Sequence, residues 1–238
     1  RTYEQALEFV KEKTVEKEME ILAPNQPTFK VEVLNYEQLS ALEIKPIEWL
    51  VQNLIPEKGI IILGGKRGSY KTYTSLHFAV CVATGTSVFG IYKTKPASVL
   101  YVDEENGFHL IKPRVVSIMK GLNQVQAPLY FTSYQTIKLD KKDKLKELQH
   151  IITENSVKLV IIDSMRRVMK GDENDADEIN TFFMEGVRPI VDENGISVIL
   201  IHHMRKGGIG SKESEDEMDE LRGSSDIANF ADIILLSP

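Results

Sequence analysis

A glycine-rich stretch directly after an apolar run holds the residues best suited to chemistry. Residues 60–63 read Ile-Ile-Ile-Leu, and residues 65–72 read Gly-Lys-Arg-Gly-Ser-Tyr-Lys-Thr. A strand, a loop of this composition and a following helix form the context of a phosphate-binding loop. Glycines let backbone N–H groups converge on phosphate oxygens, Lys71 adds a mobile charge, and Thr72 supplies a hydroxyl ligand for Mg²⁺. The predicted nucleotide contacts are Gly65, Lys66, Arg67, Gly68, Ser69, Tyr70, Lys71 and Thr72.

Tyr70 departs from the usual pattern of such loops. The consensus has a second glycine immediately before the lysine, where this chain has tyrosine. If that position requires a positive φ, tyrosine costs about 1–2 kcal/mol of left-handed strain. Two interpretations stay open at this point: a nucleotide site that accommodates the tyrosine, and a degenerate loop.

Polar residues also follow three further apolar runs. Residues 98–103, 158–163 and 196–201 read as buried strands separated by helical patterns. Strands that are apolar on both faces predict a parallel sheet covered by helices on both sides, the α/β class. Ligands bind such sheets at the carboxyl ends of the strands. Those ends carry the glycine-rich loop, Glu104 and Glu105, Asp163, and the pair His202 and His203.

The acids at these strand ends suit phosphate chemistry. Asp163 would hold Mg²⁺ together with Thr72, mostly through water, although a lone strand-terminal aspartate is usually a helix cap or turn former. Glu105 is the candidate general base, because a hydrolytic water needs a carboxylate that orients it and accepts its proton. Asp103 and Glu104 are rivals for that role, and a solvated acidic loop is the structural alternative for all three.

His203 and Arg222 are further candidates with structural alternatives. His203 can hydrogen-bond a terminal phosphate and report hydrolysis to the adjoining loop, but a histidine pair at a strand end is more often a hydrogen-bonded core group. Arg222 follows that loop, and an arginine there can reach a nucleotide in the next subunit and stabilise transition-state charge. Its alternative is an ion pair with Asp226 or with the acids before it.

Two loops, residues 166–177 and 205–220, are predicted to face one side of the sheet. Their cations could track the phosphate backbone of single-stranded DNA. Neither loop has an aromatic residue that could stack on a base, and residues 213–220 form an acidic run that is unusual for a DNA-facing loop. The cations are Arg166, Arg167, Lys170, Arg205, Lys206 and Lys212.

An N-terminal appendage is predicted before the core. Apolar residues at helical spacing predict an amphipathic helix over residues 3–20, which would pack on its own domain or on a neighbouring subunit. Prolines at 24 and 27 mark a linker, and alternation at residues 29–33 predicts a short strand. We assign residues 1–46 to this appendage and residues 47–238 to the core.

Composition narrows the class of protein. A net charge of −6 argues against an extended basic surface but allows a local basic strip. The single cysteine, Cys81, is expected to be a small buried hydrophobe, and its lack of a partner suits a reducing, cytoplasmic setting. No apolar run is long enough to span a membrane, and no zinc-type spacing of histidine and cysteine occurs. Because the chain opens on Arg1 inside a helical pattern, we interpret it as a fragment of a longer protein.

Five segments in order resemble the RecA-like ATPase core of hexameric replicative helicases. The resemblance is greatest to RepA-type plasmid helicases and to the ATPase domains of primase-helicase proteins, and it runs from about Ile47 to the end of the chain. The segments read GGKRGSYKT, VLYVDEEN, LVIIDSMRR, VILIHHMRKGG and LRGSSDIANFAD.

This resemblance implies a RecA-like P-loop fold with a mostly parallel, twisted sheet. It implies ATP and Mg²⁺ as cofactors, a homo-hexameric ring with DNA through its centre and, in primase-helicases, a fused primase domain. The roles implied are Walker A residues for Lys71 and Thr72, the Walker B aspartate for Asp163, the catalytic glutamate for Glu105, the sensor for His203 and a finger donated in trans for Arg222.

The function expected from residues and resemblance is an ATP-driven motor on single-stranded DNA. Two other functions stay open. One is a RecA-like ATPase that loads or remodels partners without translocating. The other is a structural or interaction module that does not hydrolyse ATP, for which Tyr70 would be the sign.

Overall fold

The structure is a computed structural model, and it describes residues 33–203 and 225–237. The chain divides into two units, Arg1–Pro46 and Ile47–Pro238. In the first unit the described part contains one short helix, α1 (Tyr36–Ser40). The side chain of Asn35 accepts a hydrogen bond from Gln38 N, and the side chain of Gln38 accepts one from Asn35 N, so the helix begins with a capping box. The predicted helix over residues 3–20 and most of the strand at 29–33 lie outside the described residues.

The second unit is built on a six-stranded sheet. Its strand order is β5-β4-β6-β7-β3-β8, and every neighbouring pair runs parallel. A separate antiparallel pair, β1 (Trp49–Val51) and β2 (Ile55–Pro56), precedes it. The strands of the main sheet are β3 (Gly59–Gly65), β4 (Ser98–Asp103), β5 (Leu129–Ser133), β6 (Val157–Asp163), β7 (Ser197–His203) and β8 (Ile233–Ser237).

Helical segments connect the strands of the sheet. They are α2 (Lys71–Thr84), α3 (Phe108–Gly121), α4 (Lys142–Glu154), α5 (Met165–Val168), α6 (Ala176–Thr181), a π-helix (Phe182–Val187), α7 (Arg188–Asn194) and α8 (Ser225–Phe230). The sequence predicts one continuous helix over residues 176–191, and that prediction is wrong in detail. Pro189 has no N–H to donate to the preceding turn, which interrupts the regular α-helical ladder at the start of α7. Helix α8 is not predicted from the sequence.

The sheet is covered on both faces, as its apolar strands predict. Side chains alternate along each strand, so Ile60 and Ile62 of β3 enter one core cluster while Ile61 and Leu63 enter the other. Helices α4, α5, α6 and α7 pack on the first face, and α2 and α3 pack on the second. The α/β class with helices on both faces is therefore confirmed.

Two expectations about single side chains have opposite outcomes. Cys81 is fully buried in α2, and burial raises the pKa of its thiol to about 11, so it is the inert small hydrophobe that was predicted. Trp49 is only partly buried and belongs to neither core cluster of the described residues. As the only tryptophan of the chain, within an apolar segment, Trp49 is predicted from the sequence to be a core anchor. That prediction is wrong, because its neighbours Leu50 and Val51 fill the core instead.

The register of the strands brings the polar strand ends together. Asp103 at the end of β4 pairs with Asp163 at the end of β6. Gly65 at the end of β3 pairs with His203 at the end of β7. Because all these strands run in the same direction, their ends meet at one edge of the sheet.

Strand β8 is the edge strand beside β3, and it pairs with β3 from Ile61 to Gly65. At its start, Ile60 N donates to Asp232 Oδ2 at 2.8 Å, and Asp232 N donates to Ile60 O at 2.8 Å. At its end, the hydroxyl of Ser237 donates to the carbonyl of Ser69 in the glycine-rich loop. Strand β8 therefore contacts the glycine-rich loop that follows β3.

Phe183 provides a test of the packing between the π-helix and α8. Its ring is fully buried and stacks on Phe230 with a centroid distance of 4.7 Å. We expect Phe183→Ala to lower the free energy of unfolding by about 3–5 kcal/mol, because it removes a buried aromatic ring and leaves a cavity. Urea unfolding measures this. Met184→Ala is the matched control, because the neighbouring Met184 side chain is exposed, and equal losses in the two variants would contradict the described packing.

Candidate functional site

The glycine-rich loop of residues 65–70 joins β3 to α2. Gly65 sits against β8, and a Cβ atom at this position would lie 2.5 Å from Ser237 O and 2.7 Å from Ser69 Oγ. Gly68 has a φ of +89°, in the region that favours glycine. These two positions explain the glycines of the loop: the first allows close approach to β8 and the second allows the turn.

Tyr70 occupies a left-handed conformation, with φ of 60° and ψ of 17°. The position does need a positive φ, so the strain expected from the sequence is present. Tyr70 stands at the N-cap of α2, where no side chain caps the helix. The first N–H groups of a 14-residue helix are thus left for another acceptor, which is the arrangement that binds phosphate.

Lys71 is buried and its ammonium group is held by the loop. Nζ donates to Gly65 O at 2.7 Å, to Lys66 O at 2.6 Å and to Ser69 Oγ at 3.3 Å. Burial lowers the pKa of Lys71, and the nearby charges of Asp163 and Glu105 offset part of that effect. The ammonium group therefore lies on the inner side of the loop, with both carboxylates within electrostatic range.

Asp163 is the buried acid of the site, with 1% of its surface exposed. Its Oδ2 accepts hydrogen bonds from Thr72 Oγ1 at 2.9 Å, Tyr101 Oη at 3.1 Å and Asn106 Nδ2 at 3.1 Å. Burial raises the pKa of Asp163 to about 6, and the charges of Glu105 and Asp103 act in the same direction. The hydroxyl and carboxylate that the sequence predicts as metal ligands are thus direct neighbours.

Asp103 is fully engaged in local structure. Its Oδ2 accepts from Gly107 N at 2.6 Å and Ser133 Oγ at 3.0 Å, and its Oδ1 accepts from Asn106 N at 2.9 Å. The residue is 1% exposed. Asp103 therefore closes the turn between β4 and α3 and has no free oxygen to offer a water molecule.

Glu104 is directed to a different segment. Its carboxylate accepts hydrogen bonds from three consecutive backbone N–H groups, those of residues 135–137, at 2.9 Å, 3.0 Å and 3.4 Å. Glu105 is the member of the trio that reaches the other site residues. The structure thus favours Glu105 over its two rivals as the acid available for chemistry.

Glu105 lies against His203. Glu105 Oε2 and His203 Nε2 are 3.3 Å apart, and because an ionised carboxylate only accepts, Nε2–H is the donor. This hydrogen bond lowers the pKa of Glu105 to about 2, with further lowering from Ser164 and Arg167 and opposition from burial. The neighbouring His202 is buried, and burial lowers its pKa to about 4.

A cavity of about 270 Å³ opens in front of these groups. It is lined by the loop, the start of α2, Asn106, Arg114 and His203. The guanidinium of Arg114 lies 5.1 Å from the centroid of the Tyr73 ring and donates to Asn106 Oδ1 at 3.3 Å. The cavity therefore has cationic and hydrogen-bonding walls that match a phosphate-containing ligand in character.

Three members of this network escape sequence-based prediction as site residues: Tyr101, Asn106 and Arg114. Asn106 carried a usable signal, because it is the next polar residue after the acids at the end of β4. Tyr101 carried none, since a tyrosine within an apolar strand reads as core. Among the residues that were predicted, Lys66 and Arg67 are exposed on the loop, while Arg222 and the loop 205–220 lie outside the described residues.

The donor set fits Mg²⁺ bound together with a nucleotide. Thr72 Oγ1 and Asp163 Oδ2 are oxygen ligands of the kind Mg²⁺ prefers, and they lie 2.9 Å apart. The described residues contain no group of three or more histidine, cysteine or acidic side chains that could hold a metal alone. The remaining ligands would have to be phosphate oxygens and water, as is usual for Mg²⁺ at nucleotide sites.

Comparison with known proteins identifies a family and a similar fold. Residues 25–208 match the model of the AAA domain family, and the chain therefore belongs to that family. Its fold is similar to a solved structure described as the ATPase domain of another protein, with a TM-score of 0.55, 12% identity, and coverage of 76% of this chain and 69% of the other. No curated protein matches the chain.

These findings agree with the α/β, RecA-like fold that the sequence predicts, and by its family match the chain is an AAA domain. Within residues 33–203 and 225–237, no helix has the length and apolar character needed to cross a membrane.

Tyr70 allows the cost of the left-handed loop residue to be measured. We expect Tyr70→Gly to raise the free energy of unfolding by about 1 kcal/mol, because glycine adopts this conformation without the Cβ clash. Tyr70→Ala is the matched control: it removes the same, largely exposed ring but keeps a Cβ at positive φ. If both variants shifted the urea midpoint equally, the effect would belong to the ring and the strain would be refuted.

Proposed function

We propose that this chain is an ATP-hydrolysing motor domain that couples Mg-ATP hydrolysis to movement on single-stranded DNA, as the helicase part of a replication protein. The observation that carries the proposal is the convergence of Lys71, Thr72, Glu105 and Asp163 at one edge of the parallel sheet. These residues come from three separate segments of the chain, and together they supply the charge, metal ligands and base that ATP hydrolysis requires.

Binding of ATP would exchange the partners of the loop. The free N–H groups at the start of α2 would receive phosphate oxygens, and Lys71 would give up loop carbonyls for the terminal phosphates. Thr72 and Asp163 would hold Mg²⁺, which neutralises charge on the phosphates during transfer. Tyr101 and Asn106 keep the Asp163 carboxylate in place through their hydrogen bonds.

Glu105 would orient the attacking water and accept its proton. While it is paired with His203 its pKa is about 2, which makes it a weak base. If His203 turned to the terminal phosphate, the largest cause of that low pKa would be removed and the carboxylate would become a better base. This movement of His203 would also transmit the presence or absence of the terminal phosphate to the residues that follow β7.

Single-stranded DNA would bind at the same edge of the sheet. Arg166, Arg167 and Lys170 follow β6, and all three are exposed while Met165, Val168 and Met169 are buried beneath them. Exposed cations on an anchored backbone are suited to contact phosphates without reading the base sequence. The loop 205–220 is the second proposed contact.

The proposed assembly is a homo-hexameric ring, with a primase domain as a candidate fusion partner. Arg114, which lines the cavity, is already engaged with Tyr73 and Asn106. The arginine that stabilises the transition state would then be Arg222 of a neighbouring subunit. The inert Cys81 thiol suits the proposed cytoplasmic setting.

ATP turnover with and without single-stranded DNA tests the proposal. We expect turnover that DNA stimulates, and no turnover in Lys71→Ala. Glu105→Gln should bind nucleotide but hydrolyse it more slowly by a factor of about one hundred or greater, because the general base is lost. Glu104→Gln is the matched control and should keep hydrolysis, since Glu104 is directed to residues 135–137. Hydrolysis lost in Glu104→Gln and retained in Glu105→Gln would move the base to Glu104.

Subunit mixing tests the shared site. Lys71→Ala and Arg222→Ala should each be inactive as uniform assemblies. Mixed assemblies should regain part of the turnover, because some interfaces then combine an intact loop with an intact arginine. Mixed assemblies that stay inactive would contradict an arginine donated across the interface.

Two outcomes would select other functions. DNA-stimulated turnover without strand displacement by the full-length protein would indicate an ATPase that loads or remodels partners. Calorimetry that detects no Mg-ATP binding would indicate a structural or interaction module, for which the strained Tyr70 would be the structural sign.

A further inference from the structure

The segment between β5 and α4 connects two parts of the site, the acids that follow β4 and the cations that follow β6. The proposed mechanism treats these two parts separately. We call residues 134–140 the bridging segment. It has no helix or strand, yet hydrogen bonds fix both of its ends. One end contacts the acids after β4, and the other contacts the backbone after β6.

The first end is attached to Glu104 and Glu105. The Glu104 carboxylate accepts the N–H groups of residues 135–137, and Tyr134 Oη donates to Glu105 O at 2.9 Å. Tyr134 N also donates to Asp103 O at 3.0 Å. A carboxylate that accepts several backbone N–H groups makes charge-assisted hydrogen bonds, which are among the stronger ones in proteins. A displacement of the Glu105 backbone would therefore move the bridging segment with it.

The second end is attached to α5 and the residues after it. Lys138 Nζ donates to Arg167 O at 2.6 Å and to Met169 O at 2.9 Å. Leu139 N donates to Val168 O at 3.0 Å, and Lys170 N donates to Asp140 Oδ2 at 3.0 Å. Lys138 thus satisfies carbonyls at the end of α5, where a positive charge is favoured.

The α5 segment, residues 165–170, is the part of the site that presents cations. Its apolar side chains are buried, while Arg166, Arg167 and Lys170 are exposed. The backbone atoms that Lys138 and Asp140 hold belong to Arg167, Met169 and Lys170. The position of the exposed cations therefore depends directly on the bridging segment.

The bridging segment also contains an unused acceptor. Asp140 Oδ1 is buried and accepts no hydrogen bond from the described residues, and the Asp140 charge acts on Lys138. The Asp140 carboxylate thus offers the Lys138 ammonium group an acceptor other than the carbonyls of Arg167 and Met169, and a turn of Lys138 toward it would be a second arrangement of the segment. Coupling between sites requires an element with two such arrangements.

We infer that the bridging segment couples the nucleotide site to the cations of the α5 segment, with Glu104 and Lys138 as the positioning residues at its two ends. The inference rests on the proposed function and adds a route by which nucleotide state reaches DNA-binding residues. When Glu105 changes partner, Glu104 moves the bridging segment, and Lys138 passes that movement to the backbone of Arg167 and Met169. This route is separate from the one through His203.

Hydrogen exchange on the wild-type protein is the first test. We expect binding of Mg-ADP or a non-hydrolysable ATP analogue to change the exchange rates of amides 167–170 by about fivefold or more, the low end of coupling between sites. Wild-type protein that binds no nucleotide would overturn the proposed function and this inference together. Wild-type protein that binds and hydrolyses ATP, with amides 167–170 unchanged, would overturn the inference alone.

Lys138→Met separates coupling from catalysis, because Lys138 makes no contact with the residues proposed to bind nucleotide. We expect unchanged nucleotide affinity and basal turnover, while the response of amides 167–170 and the stimulation by single-stranded DNA each fall about fivefold or more. Lys146→Met is the matched control on the exposed face of α4 and should behave as wild type. Lys138→Met with wild-type exchange and stimulation would refute the role of Lys138.

Discussion

A carboxylate that is almost fully buried must be held by hydrogen-bond donors, and Asp163 imposes this constraint on the whole site. Its donors come from the start of α2, the middle of β4 and the turn after β4, in Thr72, Tyr101 and Asn106. Only the parallel sheet, with β4 beside β6 and the phosphate loop at the same edge, can bring these three segments to one oxygen atom. The arrangement that satisfies Asp163 is also the one that sets a hydroxyl beside a carboxylate, as a magnesium site requires.

Two other ionisable groups of the site also have hydrogen-bond partners within the protein. Lys71 is bonded to the carbonyls of its own loop, and Glu105 is bonded to His203. In the proposed function, ligand binding would therefore exchange one set of hydrogen-bond partners for another. Because each exchange moves a side chain that is bonded to a further segment, binding and conformational change are inseparable in this site. The bridging segment is one such connection.

The sheet and its strand ends were predictable for two reasons. The strands are apolar on both faces, and the loop at residues 65–72 is of a type that follows a strand and precedes a helix, so it marks the carboxyl end of β3. The sequence favours Glu105 as the base but leaves its rivals Asp103 and Glu104 open. Ser133, which donates to Asp103, and the N–H groups of residues 135–137, which donate to Glu104, lie about thirty positions away in the chain, and β5 brings them there by pairing with β4. The partial exposure of Trp49 likewise depends on tertiary packing. The catalytic roles remain predictions, and Arg222 lies outside the described residues.

The contact between Ser237 and the phosphate loop has a practical consequence for protein engineering. The family match ends at residue 208, so a shortened gene designed on that boundary would omit β8. Such a protein would expose the flank of β3, lose the hydrogen bond to Ser69, and leave Gly65 without the neighbour that restricts it. Poor nucleotide affinity in that truncated form would then result from the loss of β8 beside the glycine-rich loop. It would not report on the chemistry of the intact domain.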